Sequence, residues 1–133
     1  LQFAAKRGVD VKILMPHIAD KKFVFAQSRS HYNELIKAGV KIYEYTPGFI
    51  HAKSFVSDDL KALVGTINLD YRSLYHHFEC GVYMEEVPAV LEIERDFKET
   101  LKHSQKVTLE DIKKYNIFMT IIGKVLKLIA PLL

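Results

Sequence analysis

Residues 50–84 read IHAKSFVSDDLKALVGTINLDYRSLYHHFECGVYM, and the fold turns on them. Ile50 to Ser57 and Leu60 to Val64 are β-rich runs on either side of Asp58-Asp59. Paired acids in that place are hairpin-turn chemistry, because Asp tolerates the left-handed backbone a tight turn needs. Residues 65–77 are polar and too long for a plain turn, and loops of that kind tend to carry function. Phe78 to Met84 reads as a further strand.

Working outward, Leu1 to Gly8 looks like a helix end, with Lys6 and Arg7 in its last turn and Gly8 as the stop. Val9 to Met15 alternates as a strand closed by Pro16. Residues 16–27 read as irregular or partly helical. Ser28 or Ser30 is expected to cap a helix through Ala38, with Gly39 in the left-handed position beyond it. Val40 to Tyr45 is a second alternating strand, and Thr46-Pro47-Gly48 a turn. Pro88 opens a helix to about His103, and Thr108 with Asp111 has the form of a capping box opening a last helix. Strands alternating with helices argue for a mixed α/β layer fold. A boundary falls near residue 105, where this core gives way to two terminal helices.

The chain has 133 residues, 49% of them hydrophobic and 26% charged, which excludes disorder and low-complexity or collagen-like sequence. A formal charge of +3, from 19 Lys+Arg against 16 Asp+Glu, is too mild to demand nucleic acid. The single cysteine, Cys80, excludes an internal disulfide framework and a cysteine-based zinc site. No uncharged apolar run is long enough to span a bilayer, and no signal peptide is seen. With no methionine at its start, the chain reads as a segment of a longer protein.

Chemistry concentrates on His51-Ala52-Lys53. On a strand, residues i and i+2 share a face, so the imidazole and the ammonium are expected side by side. Such a pair suits a phosphate: Lys53 offers a compact charge to a non-bridging oxygen, and His51 a nucleophile or proton carrier. Glu79 is the candidate to hold the ring and stabilise its charged or phosphorylated form. Asn68 and Thr66 can donate hydrogen bonds to the same phosphate, with Gly65 letting the backbone approach. Taken alone, an HxK pair on a strand is more often a packed, hydrogen-bonded histidine; the ordered set is what carries weight. His76-His77 has no third ligand at sensible spacing, so no metal is expected, and Cys80 reads as a small core residue.

HAKSFVSD is HxKxxxxD, and GTINLDYRS and HFECGVYM follow it in order. Together these resemble the signature of the phospholipase D superfamily. TPGFIHAK, VGTINLDYRS and HFECGV more narrowly resemble the carboxy-terminal half of bacterial cardiolipin synthases. RGVDVKILMP, SHYNELIKAGVKIYEY and the LIAPLL ending extend the likeness across nearly the whole chain. The resemblance implies a phospholipase D-like mixed sheet flanked by helices, a single domain forming one half of a two-domain active-site unit. Residues 1–105 would be this catalytic half-domain, its first strand lying ahead of residue 1. Residues 106–133 would be amphipathic helices at a membrane interface or docked on the core.

It implies roles as well. His51 would be one of two active-site histidines, Lys53 and Asn68 would bind phosphate, and Glu79 would pair with the histidine. Thr66 stands where many members carry Ser; Asp58, Asp70 and Arg72 would support the structure. In the family one histidine attacks phosphorus and the other protonates the departing alcohol, without metal or cofactor. Phosphatidylglycerol would donate a phosphatidyl group to a second phosphatidylglycerol, releasing glycerol.

Only His51 has a lysine two residues on; His17, His31, His76, His77 and His103 do not. The chain therefore holds half a site. Its partner is expected to be an amino-terminal half with the second HxK motif, or a second copy. The amino-terminal membrane segments of that family are not in this sequence, and the expected location is the bacterial cell membrane. Three rivals remain: a phospholipase D-type hydrolase, a homodimeric phosphodiesterase or nuclease, and a non-enzymatic membrane-binding fragment. Residues 117–133 place Thr120, Gly123, Lys124 and Lys127 on one side of a helical wheel and Ile121, Ile122, Val125, Leu128 and Ile129 on the other. That pattern fits an interfacial helix on an anionic leaflet, or a helix packed on protein.

Overall fold

A computed structural model describes residues 1–130. In chain order the elements are α1 (Gln2–Lys6), β1 (Lys12–Pro16), α2 (Lys22–Ser30), α3 (Tyr32–Lys37), β2 (Lys41–Tyr45), β3 (Ser54–Ser57) and β4 (Lys61–Gly65). A single π-helical turn, Arg72–His76, precedes β5 (Gly81–Glu85), α4 (Pro88–Lys102), β6 (Ser104–Lys106), α5 (Leu109–Lys113) and α6 (Ile117–Ile129). The class is mixed α/β, with two three-stranded sheets flanked by helices. The described chain divides into two compact units.

The first unit comprises residues 1–50 and 103–130. Its sheet has the order β1-β2-β6, with β1 parallel to β2 and β6 antiparallel. A parallel pair needs a crossover, and α2 and α3 supply it. Tyr32, Val40, Ile42 and Val107 form the core, with Val11, Ile13, Leu35 and Tyr115 packed against it. Gly39, at φ +98°, ends α3 in the left-handed conformation, where a Cβ would be strained. Neither Ser28 nor Ser30 caps α3. Both hydroxyls turn back to carbonyls of their own helix, Val24 O at 3.0 Å and Gln27 O at 2.6 Å. His31 takes the cap position, because helical backbone continues almost unbroken from α2 into α3.

Glu44 is nearly fully buried in the middle of the first unit. Arg29 grips it with two hydrogen bonds, Nε to Oε1 at 3.0 Å and Nη2 to Oε2 at 2.7 Å, and His17 Nδ1 lies 2.8 Å from Oε2. The guanidinium is sandwiched between the Phe25 and Tyr115 rings at 4.2 and 4.3 Å. Burial works against the Arg29 charge, but Glu44 outweighs it and holds the guanidinium above its ordinary pKa.

The second unit is the segment 51–102. It is an antiparallel meander, β3-β4-β5, with α4 packed against it. Asp58 and Asp59 have φ +55° and +57°, so the expected two-acid turn closes the β3–β4 hairpin in the left-handed region. Gly65 faces Gly81 across the β4–β5 ladder. A Cβ on Gly65 would lie 2.2 Å from the Cys80 carbonyl oxygen, so the close approach here is to the neighbouring strand. Thr108 and Asp111 make the expected reciprocal capping box, for α5; a further cap at Asn116, not singled out in the sequence, opens α6.

Candidate active site

The strand predicted from Ile50 starts only at Ser54. β4 ends at Gly65, whose N–H reaches Lys53 O at 3.1 Å, so the chain before Lys53 has no β4 residue left to pair with. His51 and Lys53 meet nonetheless. The Lys53 ammonium lies against the imidazole, 3.1 Å from Nδ1 and 3.0 Å from Nε2, and donates to His51 O at 2.8 Å. One nitrogen equidistant from both ring nitrogens is in line with neither lone pair, so this is a charge seated on the ring more than a directed hydrogen bond. His51 is exposed and Lys53 half-buried.

Beside this pair is a polar network around the end of β4. The Thr66 hydroxyl donates to Glu79 Oε2 and accepts from Cys80 N at 3.0 Å, while Thr66 N donates to Cys80 O at 2.9 Å. The buried Ser73 hydroxyl also bonds Glu79 and accepts from Asn68 Nδ2 at 3.4 Å. Asp70 Oδ1 accepts from Ser73 N at 2.7 Å, fastening the π-helical turn. The hydroxyl of Thr66 foremost, then that of Ser73, hold the Glu79 carboxyl below the ordinary carboxylate range, and the charges of His77 and Lys53 add to this. Glu79 therefore stays ionised at neutral pH and feels the Lys53 ammonium.

Lys53, Thr66, Asn68 and Glu79 are thus drawn together, with Asp70 supporting them through the backbone of Ser73. Arg72 opens the π-helical turn, exposed, and its carbonyl accepts from His77 N at 2.8 Å. Asp58 lies elsewhere, at the far end of β3, where it accepts from Ser57 Oγ at 3.0 Å. Cys80 is exposed, contrary to the core position expected for it: it precedes β5, so strand alternation does not turn it inward. Ser73 is the member that sequence reading missed. Its signal was present as Asp70-x-x-Ser73, a carboxylate three residues before an amide it can cap.

The surrounding loop is apolar at its surface. Leu69, Tyr71, Leu74, Tyr75 and Phe78 are all exposed, Phe78 completely, and Tyr71 stacks on Tyr75 with centroids 5.8 Å apart. The arrangement offers one cation, hydroxyl and amide donors, and an imidazole, bordered by apolar side chains. It can bind a phosphate ester and present a nitrogen to its phosphorus. Among the described residues there is no group of three metal-ligating side chains.

One HxK pair, with Thr66, Asn68 and Glu79 beside it, thus stands on a mixed α/β scaffold. A family model described as cardiolipin synthase, phospholipase D-like domain, matches residues 1–101, and the chain belongs to that family. It is 61% identical over all 133 residues to an uncharacterized protein of Streptococcus mutans, of which it covers 29%. It is 38% identical to cardiolipin synthase 2 of Bacillus anthracis and 40% identical to cardiolipin synthase of Geobacillus kaustophilus, again over its full length and 26% of theirs. The chain spans little more than a quarter of these relatives.

Proposed function

We propose that this chain supplies one HxK half-site of a phosphatidyltransferase that joins two phosphatidylglycerol molecules into cardiolipin and releases glycerol. The observation that carries the reading is the His51–Lys53 contact set beside Glu79, Thr66 and Asn68 in a member of this family. One imidazole, of this half or of its partner, attacks phosphorus, the glycerol oxygen leaves with a proton from the other, and a phosphohistidine holds the phosphatidyl group. The second lipid's hydroxyl gives its proton to that other imidazole, now neutral, and its oxygen takes the phosphatidyl group as the phosphorus–nitrogen bond breaks. Lys53 and Asn68 neutralise the phosphoryl oxygens, and Glu79 steadies the cationic side of the site. The apolar rim supports a lipid substrate over a nucleic acid: residues 69–78 carry one arginine and no lysine.

The partner half-site lies in an amino-terminal half or in a second copy, and the place of action is the bacterial cell membrane. Residues 1–105 act as the catalytic half-domain. The test is turnover of phosphatidylglycerol vesicles by the intact parent protein, with products followed by mass spectrometry. Cardiolipin and glycerol, lost in His51→Ala, are expected; this chain alone should give turnover only where a second copy completes the site. Phosphatidic acid alone would keep the phosphohistidine but make water the acceptor. Absence of any lipid product would overturn the reading.

A further inference from the structure

α6 is apolar on its exposed side as well as on its packed one. On its packed side Gly123 is buried among half-buried Met119, Ile122 and Leu126, and a Cβ at Gly123 would lie 2.3 Å from the Ala26 carbonyl oxygen of α2. Lys127, further along that side, bonds Glu34 at 2.7 Å. The opposite side is exposed and aliphatic or aromatic. Ile117, Phe118, Ile121, Val125 and Leu128 are between 54% and 82% exposed. Gly123 thus meets α2 at Ala26, and the later Lys127 reaches Glu34 in α3. Phe23, at 61% exposure, and Val24, at 56%, stand on α2 within one turn of Ala26, where Gly123 packs.

Charge identifies what covers this face. Residues 21–30 and 116–130 contain no acid. Of their cations, Arg29 is consumed by Glu44 and Lys127 by Glu34, which leaves Lys21, Lys22 and Lys124 exposed beside the apolar side chains. Apolar side chains bordered by exposed lysines, on two helices that carry no carboxylate of their own, complement an anionic lipid surface. No helix of the described residues is long and apolar enough to cross a membrane. We infer that α2 and α6 together form a two-helix face that lies in the interface of an anionic bilayer, with Phe23 and Val24 sharing the insertion. This deepens the lipid reading above, and it is measured without turnover.

The chain has no tryptophan, so Phe118→Trp makes a single reporter at an exposed position. With vesicles of phosphatidylglycerol and phosphatidylcholine, its emission is expected to shift to the blue and be quenched by brominated acyl chains. Adding Ile121→Glu and Leu128→Glu should abolish both effects with circular dichroism unchanged. Replacing Lys21, Lys22 and Lys124 with Gln should weaken binding by roughly 100-fold. An emission unmoved by vesicles overturns the inference, as does equal binding to pure phosphatidylcholine. So does a reporter already shifted in a lipid-free dimer that Leu128→Glu dissociates, for then a second copy covers the face. His51→Ala should bind vesicles like the parent, so loss of chemistry and loss of docking are separable.

Discussion

At single positions, two neighbouring residues of the second unit carry different burdens. Gly65 is fixed by sterics. An alanine methyl would meet the Cys80 carbonyl and the Gly81 Cα at 2.2 and 2.6 Å, both backbone atoms that cannot swing aside. Gly65→Ala should destabilise the second unit by about 1–3 kcal/mol, read from a denaturant midpoint, and disturb Thr66 with it. Glu79 is fixed by chemistry. Its pKa is depressed in the folded protein, so its ionised network contributes stability that is present above the unfolded carboxylate pKa and lost as pH falls through the lower, folded one. A carbon-detected titration should place its midpoint below that of an unperturbed glutamate, and Ser73→Ala should raise it. A Ser73→Ala titration identical to the parent would remove Ser73 from the network. Asp10, between Lys12 and Lys41, is drawn further, to about 2. Motif order made His51, Lys53 and Glu79 legible in the sequence. The hydroxyl of Ser73 was not, because its value comes from burial against Asn68 and Glu79, which lie outside its own helical turn.

Among elements, legibility followed how local the cause was. The two-acid hairpin turn, Gly39 and the Thr108–Asp111 box are decided by residues within one turn of each other, and all three are where the sequence put them. β6 was not anticipated: Ser104–Lys106 has no alternation of its own and is a strand only because β2 offers it an open edge. The caps assigned to Ser28 and Ser30 failed for a like reason, since α2 runs on past them. The Arg29–Glu44 clamp couples α2 to β2. Arg29→Met should cost about 3–5 kcal/mol by leaving the Glu44 carboxylate buried without its cation. Lys12→Met, which breaks only an exposed pair with Asp10, should cost well under about 1 kcal/mol. Equal thermal shifts for the two would contradict this division. The α6–α2 contact also decides what a deletion of α6 would report. Removing residues 117–133 takes away the helix that packs on Ala26, so lost vesicle binding would not separate docking from unfolding.

For the molecule as a whole, the two units differ in how much they bury. The first holds Tyr32, Val40, Ile42 and Val107 in one cluster; among the described residues of the second, the buried apolar side chains are Ala62 and Val90. Local opening follows burial, so amides of β2 should exchange with deuterium much more slowly than those of β3 to β5. Peptide-level mass spectrometry would check this, and equal protection would contradict it. The α/β class was readable from alternating strands and helices. The division into units was not, because it depends on β6 and α6 returning to elements some sixty or more residues earlier.

That return has a bearing on how the protein is made. The first unit is discontinuous: residues 1–50 wait for 103–130, and the whole of 51–102 lies between them. A ribosome delivers the inserted unit complete before the strand and helices that finish the earlier one have emerged. Until then the β2 edge and the α2 surface around Ala26 stand open, and they are what a nascent-chain chaperone would meet. A premature stop after residue 103 would therefore not trim a tail. It would leave the first-made part of this chain without its last strand and the cover of its second helix.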